Sequence, residues 1–430
     1  MSNEIIIGNQ APVKGELTPP GDKSISHRSV IIGSLAKGTS IVRGFLDCDD
    51  ANSSINAMKM LGVPIEARRS SLEIKGNGLH GLSKPRDTID AGNSGTTARL
   101  LTGLLSAQNF SSEITGDKYL RARPMRRVVD PLRLMGADIT GSEDGNKLPI
   151  SIKGGELTGI SYEPPVASAQ VKSAILLAGL YARGETEVIE SKATRDHTER
   201  MLSFYGVDVI TDGNRISIEK LEEDFKGAEL LVPADISSAA FFIVAALINP
   251  GSEVVIYNVG LNPLRAGIID ILKRMGGDIE IVNFRDTGCE PVADILVKSS
   301  DLRATEIKGE IIPKAIDELP VIAVAACFSE GETVIREARE LRVKETDRIK
   351  AVTQELRKLG ASIEELDDGM VIRGTGALRG AKCSGWGDHR IAMALAVAGT
   401  RAEGETEIEG AECVSVSYPG FFYDLRQLRK

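Results

Sequence analysis

Residues 236–256 read ISSAAFFIVAALINPGSEVVI, and the order of residue types in this stretch recurs along the whole chain. A polar opening leads into an apolar, alanine-rich helix, the helix ends before a glycine, and a strand-like segment follows. Glycine suits that position because the left-handed backbone that commonly ends a helix is costly for a residue with a Cβ atom. The glycines are Gly38, Gly184, Gly251, Gly331 and Gly404, with a weaker match in the second copy.

A second helix follows in each copy and ends in a glycine turn. These helices are amphipathic, as in DRIKAVTQELRKLG (347–360), so we expect them outside the uniformly apolar first helices, which should be buried. The turn glycines recur at intervals of 74, 70, 70 and 84 residues: Gly62, Gly136, Gly206, Gly276 and Gly360. This spacing indicates six repeats, each with two helices and three or four strands.

The ends of the chain suggest how the repeats are grouped. The sixth repeat stops after a helix, and the strand-like N-terminal segment belongs to no copy. The simplest arrangement is that the first ~20 residues complete the last repeat. We therefore predict two domains of three repeats, one formed by residues 21–235 and the other by residues 1–20 plus 236–430. Prolines near both crossings suit a hinge.

Composition excludes several classes of protein. The 430 residues include 52 Lys and Arg against 61 Asp and Glu, a net charge of −9, and 42% are hydrophobic. Such a chain is neither disordered nor a protein that coats nucleic acid. Five scattered cysteines without a CxxC motif and four histidines argue against disulfides and a zinc site. We see no signal peptide and no apolar run that would cross a bilayer, so we expect a cytoplasmic protein.

The polar residues that open the buried helices are the candidates for chemistry. Helix N-termini offer free N–H groups and partial positive charge, and several aimed at one cleft would bind anions. Ordinary capping explains the Ser and Asp there, but not Lys23, Arg28 and Arg390, whose charges oppose the helix dipole. Three further charged segments are either solvated helix starts or functional: residues 121–127, 194–199 and 341–348.

Seven motifs together resemble the 5-enolpyruvylshikimate-3-phosphate synthase family, in its second, often glyphosate-tolerant class. In order they are GDKSISHRS (21–29), GNSGTTARLL (92–101), RPM (123–125), SAQVKSA (168–174), RDHTERM (195–201), RVKETDR (342–348) and GDHRIAMA (387–394). The resemblance covers essentially the whole chain. It implies an α/β (α+β) fold, a two-domain inside-out α/β barrel of six βαβαββ repeats, with the active site in the cleft between the domains.

The resemblance also implies the reaction. The enolpyruvyl group of phosphoenolpyruvate moves to the 5-hydroxyl of shikimate 3-phosphate, and phosphate leaves, by addition and elimination through a tetrahedral intermediate. This step belongs to chorismate and aromatic amino acid biosynthesis. No metal or organic cofactor is implied, glyphosate is a candidate inhibitor, and we expect a monomer with neither nucleic acid nor membrane as a partner.

The family's binding residues carry over position by position. We expect shikimate 3-phosphate to be bound mainly by the 21–235 domain, and its contacts to be Lys23, Ser24, Arg28, Ser168, Ala169, Gln170, Arg195, Asp317 and Lys344. We expect phosphoenolpyruvate to contact Lys23, Gly95, Arg123, Gln170, Arg348 and Arg390.

The catalytic residues we expect are Asp317 as the base for the 5-hydroxyl, Glu345 as the proton donor to carbon, and Lys23, shared by both ligands. Asp317 is also placed to cap the helix that follows it. Glu345 lies among cations, which favour its charged form, although bound polyanions would offset them. Many family members carry a lysine where Val416 stands here, so one phosphoenolpyruvate contact is absent or supplied elsewhere.

Three alternatives remain open on the sequence. UDP-N-acetylglucosamine enolpyruvyl transferase shares fold and chemistry, but it uses a loop cysteine that the segment GDKYLRARPMRR (116–127) lacks. RNA 3′-phosphate cyclase shares the repeat but is shorter. A repeat-built binding scaffold without catalysis is the third.

Overall fold

The computed structural model describes residues 5–8, 10–68 and 71–430. Its contacts divide the chain into two compact units. Residues 21–232 and 287–290 form one, called here the N-terminal unit; the described residues up to 20, with 233–286 and 291–430, form the C-terminal unit. The predicted domain segment 1–20 includes residues 1–4 and 9, which lie outside the described residues.

The N-terminal unit holds the first three repeats, which follow strands β1 (Ile5–Ile7) and β2 (Lys14–Leu17). The first repeat contains α1 (Lys23–Leu35), β3 (Lys37–Arg43), α2 (Asp49–Met60), β4 (Ile65–Arg68) and β5 (Ser71–Asn77). The second contains β6 (Ile89–Asp90), α3 (Gly95–Ser106), β7 (Ser111–Thr115), α4 (Lys118–Ala122), α5 (Arg126–Leu134), β8 (Asp138–Gly141), α6 (Ser142–Gly145) and β9 (Lys147–Lys153). The third contains β10 (Ser161–Tyr162), α7 (Ala169–Gly179), β11 (Thr186–Ile189), α8 (His197–Phe204), β12 (Val209–Asp212) and β13 (Arg215–Ile218), and β14 (Glu229–Leu231) follows it.

The C-terminal unit holds the other three. The fourth repeat contains α9 (Ile236–Ile248), β15 (Glu253–Gly260), α10 (Gly267–Arg274), β16 (Asp278–Asp286) and β17 (Pro291–Lys298). The fifth contains β18 (Glu306–Ile307), α11 (Ile311–Ala315), α12 (Leu319–Cys327), β19 (Glu332–Ile335), a 3-10 helix (Arg339–Val343), α13 (Arg348–Lys358), β20 (Ser362–Leu366) and β21 (Gly369–Arg373). The sixth contains β22 (Lys382–Ser384), α14 (His389–Arg401), β23 (Thr406–Glu409), a 3-10 helix (Ala411–Val416) and α15 (Phe421–Gln427).

Each repeat builds one small mixed sheet. In the second repeat the strand order is β6-β7-β9-β8, with β6 parallel to β7 and the other two pairs antiparallel. The third and fifth repeats have the same pattern. The parallel pair is joined through the buried helix, because parallel neighbours need a long crossover, and the antiparallel hairpin follows the second helix. The chain therefore has the α+β fold of six repeats that the sequence predicts.

Two strands are exchanged where the chain passes between the units. Strand β2 precedes α1 in sequence but pairs with β15 of the fourth repeat, and β14 precedes α9 but pairs with β3 of the first. Strand β1 pairs antiparallel with β23, in the sixth repeat. The prediction that the N-terminal segment completes the last repeat is thus right for β1 and wrong for β2, which completes the fourth repeat instead.

The first helix of each repeat forms the core of its unit. Every residue of α9 is buried, as are nearly all residues of the corresponding helices. Helices α9, α12 and α14 pack on one another, and α1 and α7 both pack on α3. The second helices, such as α13, bury one face and expose the other, as their amphipathic pattern predicts. In the described part of the chain, we find no helix with the length and apolarity that crossing a bilayer requires.

The repeat glycines adopt the backbone conformation that the sequence analysis assigns to them. All ten have φ between +75° and +102°. At Gly206, with φ of +83°, a Cβ atom would meet nothing within 4 Å, so the need for glycine there is conformational and not steric.

We expect Gly206→Ala to destabilise the protein by ~1–2 kcal/mol, because an L-residue is strained at this φ. The matched control is Gly155→Ala in the same unit, which also has open space but no positive φ, and which should be neutral or slightly stabilising. Midpoints of urea unfolding measure both. Equal shifts would contradict the conformational explanation.

Candidate functional site

The three buried helices of the N-terminal unit begin at the same end. Gln170 in the first turn of α7 donates to Thr96 in the first turn of α3 (Nε2 to Oγ1, 2.9 Å), and Arg28 of α1 reaches Ser173 of α7 (2.7 Å). Because α1 and α7 also pack along α3, these contacts between helix starts show that the three helices run in the same direction, so their partial positive charges gather at one end of the unit. Such an end binds anions.

Arg28 is buried at this end, and each of its three donor groups bonds a neutral oxygen. Its Nε donates to Thr198 Oγ1 (2.7 Å), one terminal nitrogen to Ser173 Oγ, and the other to the Ser24 carbonyl (3.0 Å). Burial lowers the pKa of Arg28 to about 10, with Glu199 raising and Arg195 lowering it. A buried cation beside a second cation is a poor arrangement unless an anion binds there.

Lys172, next in sequence to the Ser173 that Arg28 binds, is the centre of a buried ion cluster. Its Nζ is 2.9 Å from Glu190 Oε2 and 2.6 Å from Glu199 Oε1, with the Lys172 side chain 1% exposed. Burial alone would lower the pKa of Lys172, but Glu199 and Glu190 raise it overall. Burial raises the pKa of Glu199 overall, although the charge of Lys172 lowers it. The cluster ties the start of α8, which carries Thr198, to α7, and so fixes the hydroxyl that holds Arg28.

A second set of contacts surrounds Gly95 at the start of α3. A Cβ atom there would lie 2.9 Å from a terminal nitrogen of Arg123 and 3.1 Å from one of Arg99. Arg99 donates to Gln170 Oε1 (2.5 Å) and to the Pro124 carbonyl (3.1 Å). The structure therefore brings together three predicted residues, Gly95, Arg123 and Gln170, and adds Arg99.

Lys23 pairs with an acidic residue that the sequence analysis did not single out. Its Nζ lies 2.9 Å from Asp50 Oδ2, at the start of α2. Burial is the main cause that holds the pKa of His27 well below its usual value, and the charges of Lys23 and Arg28 lower it further. The other predicted residues, Ser24, Ser168, Ala169 and Arg195, are all partly exposed at or just before helix starts.

The C-terminal unit contains a separate charged cluster centred on Arg348. Its guanidinium lies 3.2 Å from Asp317 Oδ1, 2.5 Å from Glu345 Oε2 and 2.8 Å from Asp388 Oδ2, with Arg348 only 1% exposed. Burial opposes its charge, but Asp388, Glu345 and Asp317 raise the pKa of Arg348 overall. Lys344 Nζ is 3.5 Å from Asp317 Oδ1. The two predicted catalytic carboxylates thus share one cation.

Arg390 joins this cluster from the start of α14. It donates to the Asp317 carbonyl (3.1 Å), and its guanidinium lies 4.0 Å from Asp317 Oδ2 and 3.6 Å from Glu318 Oε1. Glu318 also pairs with Arg265 (2.8 Å), whose side chain is buried and only 3% exposed. As in the other unit, contacts between helix starts link α12 and α14. The structure therefore brings together three of the predicted site residues, Arg390, Asp317 and Arg348.

Several members of the two clusters were missed in the sequence analysis: Asp50, Arg99, Lys172, Glu190, Glu199, Arg265, Glu318 and Asp388. Two of these residues could have been identified from the sequence. Arg99 stands early in a buried helix like Arg28, and Asp388 directly precedes Arg390. Asp50 and Glu190 carried no such signal, because each pairs with a lysine from another part of the sequence. Val416, the position at which the sequence analysis notes a missing lysine, is the last residue of a 3-10 helix. Burial and then Asp388 raise the pKa of Cys413 in that helix to about 12.

His197 in the predicted segment 194–199 has a partner that comes from far along the chain. Its Nδ1 lies 2.6 Å from Glu290 Oε1, and both side chains are 1% exposed. Glu290 belongs to the tetrapeptide 287–290 that the contacts assign to the N-terminal unit. No pattern in the sequence indicates this pair.

The chain matches known proteins over almost its full length. Residues 7–425 match the family model described as EPSP synthase (3-phosphoshikimate 1-carboxyvinyltransferase). The 3-phosphoshikimate 1-carboxyvinyltransferase of Geobacter sp. (strain M21) is 55% identical over 409 residues, 95% of each chain, and that of Syntrophotalea carbinolica is 52% identical over the full length of both. A solved structure of EPSP synthase from Acinetobacter baumannii, 46% identical, superposes with a TM-score of 0.90 and covers 100% of this chain and 98% of that one. The chain therefore belongs to the EPSP synthase family.

Proposed function

We propose that the two charged clusters serve one reaction, the transfer that defines the family. In it, the chain moves the enolpyruvyl group of phosphoenolpyruvate to shikimate 3-phosphate, a step of aromatic amino acid biosynthesis. We assign to shikimate 3-phosphate the residues Lys23, Ser24, Arg28, Ser168, Ala169, Gln170, Arg195, Asp317 and Lys344. We assign to phosphoenolpyruvate the residues Lys23, Gly95, Arg123, Gln170, Arg348 and Arg390. We further propose that the protein works as a monomer in the cytoplasm.

The observation that carries this assignment is the setting of Arg28. A buried guanidinium held by two hydroxyls and a carbonyl, beside Arg195 and at the positive ends of parallel helices, favours a multiply charged anion. Both substrates are such anions. The chain's net charge of −9 is no obstacle, because positive charge concentrated in one place attracts an anion whatever the total.

The carboxylates divide the proton transfers. Asp317 takes the proton of the 5-hydroxyl of shikimate 3-phosphate while the hydroxyl oxygen attacks C2 of phosphoenolpyruvate. Glu345 delivers a proton to the methylene carbon, and the tetrahedral intermediate results. Loss of phosphate and return of the methyl proton then restore the double bond. The Arg348 contact opposes protonation of Glu345, and the negative charge of bound substrates counters it.

We expect Arg123→Ala and Arg390→Ala each to raise the KM for phosphoenolpyruvate about tenfold or more, because a hydrogen bond to a charged group contributes ~1.5–3 kcal/mol. The KM for shikimate 3-phosphate should change much less. Arg195→Ala is the control and should show the opposite selectivity. Phosphate release with each substrate varied in turn measures these values, and equal effects on both KM values would contradict the assignment.

We expect Asp317→Asn to reduce kcat by ~10²–10⁴-fold, the usual contribution of a general base. Calorimetry should show that the variant still binds shikimate 3-phosphate, which separates an enzyme from a binding scaffold. A kcat within tenfold of the unaltered protein would refute the role of Asp317.

We expect Gly95→Ala to raise the KM for phosphoenolpyruvate and the inhibition constant of glyphosate about tenfold, which corresponds to ~1.4 kcal/mol of binding free energy, because the added methyl displaces the guanidinium groups of Arg123 and Arg99. Gly155→Ala, on open surface, is the matched control. Phosphate release with and without glyphosate tests both. Unchanged phosphoenolpyruvate kinetics would exclude Gly95 from that subsite.

A further inference from the structure

One face of α13 holds both ends of the segment that leads into α14. Arg348 and Glu355 are seven residues apart, about two helical turns, so they lie on the same face. Arg348 binds Asp388 (2.8 Å), and Glu355 binds the preceding residues Ser384 and Trp386. The short turn between β22 and α14 is therefore fixed at two points by one rigid helix.

This turn has a strained backbone. Trp386 has φ of +55°, a conformation that is uncommon for a bulky residue, and Gly387 follows with φ of +66°. A residue persists in this conformation only when its surroundings hold it there. Trp386 is half-buried against the core of the C-terminal unit, so its ring also needs a partner for the indole N–H.

The Glu355 carboxylate supplies that partner. Oε1 accepts from the Trp386 indole Nε1 at 2.7 Å, and Oε2 accepts from the backbone N–H of Ser384 at 2.9 Å. Lys358 Nζ lies 2.8 Å from the same carboxylate and balances its charge from the surface, being 47% exposed, whereas the Glu355 side chain is 2% exposed. A buried carboxylate that bonds one short turn twice holds that turn specifically, and its loss would leave both donors unpaired.

The turn between β22 and α14 also sets the position of Arg390. Asp388 caps α14 by accepting from the Arg390 N–H (2.9 Å), and the Arg390 guanidinium donates to the Asp317 carbonyl (3.1 Å). A shift of the turn moves the start of α14, and with it Asp388 and Arg390.

We propose that Glu355 is a positioning residue for the reaction: through Ser384 and Trp386 it holds the turn 385–388 in its strained form and so keeps Arg390 in place to bind phosphoenolpyruvate. The inference rests on the proposed function, in which Arg390 contacts that substrate. Glu355 itself touches neither Arg390 nor Asp317 through the contacts described, so it acts only through the turn.

Glu355→Gln tests this in the intact protein. The glutamine NH₂ group faces the Ser384 N–H, so one bond is lost while side-chain volume is kept. We expect the KM for phosphoenolpyruvate to rise about tenfold, with the KM for shikimate 3-phosphate within about twofold. The matched control is Lys358→Met, which removes the exposed cation and leaves both bonds to the turn; its KM values should stay within about twofold of the unaltered protein.

Trp386 supplies a readout that is independent of activity, because it is the only tryptophan in the chain. Release of the turn in Glu355→Gln should shift its emission and increase its quenching by acrylamide. Should Glu355→Gln fail to fold, Trp386→Phe removes the indole donor without leaving a new charge, and a selective rise in the KM for phosphoenolpyruvate is again expected.

Each outcome decides the inference. A changed emission with a selective rise in the KM for phosphoenolpyruvate supports it. A changed emission with unchanged KM overturns it and leaves the proposed function intact, while unchanged emission, or equal rises in both KM values, also overturns it. Failure of the proposed function is seen separately, as an unchanged KM for phosphoenolpyruvate in Arg390→Ala.

Discussion

Burial of the first helix of every repeat is the constraint on which the rest of the structure depends. A helix that is apolar on all sides can place polar groups only at its ends. Because the buried helices of each unit begin at the same end, that end collects N–H donors, caps and charged side chains from three repeats. Residues as distant in sequence as Arg28 and Ser173 thereby become neighbours. The location of the charged clusters is thus a consequence of the fold and not an addition to it.

The two units differ in the balance of charge that they carry at their helix starts. In the C-terminal unit, the helices begin with the carboxylates Asp235, Glu318 and Asp388, which the partial positive charge of a helix start stabilises. In the N-terminal unit, Asp22, Ser94 and Ser168 cap the three helices, and the cations Lys23, Arg28 and Arg99 lie within the first two turns of α1 and α3, where the same field destabilises them. Acids thus predominate at the helix starts of one unit, beside Arg390, and cations at those of the other. This difference suits a reaction that needs carboxylates for proton transfer and cations for two charged substrates.

The repeat architecture was predictable from the sequence because its signals are local. Glycine at a left-handed position and an apolar helix before it can be read within twenty residues, and Gly38 and Gly206 behave as expected. The exchange of β2 was not predictable, since a four-residue strand pairs as well with one sheet edge as with another. The motifs located Arg348 and Arg390, but partners such as Glu290 for His197 depend on long-range packing that no spacing reveals. The family resemblance supplied the roles of Asp317 and Glu345, which geometry alone does not assign.

The exchanged strands bear on how the chain folds as it leaves the ribosome. All three sheets of the N-terminal unit are complete once Leu231 has emerged, so that unit can form most of its structure early in synthesis. Strand β1 must wait for residues 406–408, its partners near the end of the chain. During most of translation this strand has no native neighbour, which makes Ile5–Ile7 a site where chaperone binding or misassembly would act. A fold of six related repeats therefore has a marked order of assembly, set by which sheet each terminal strand joins.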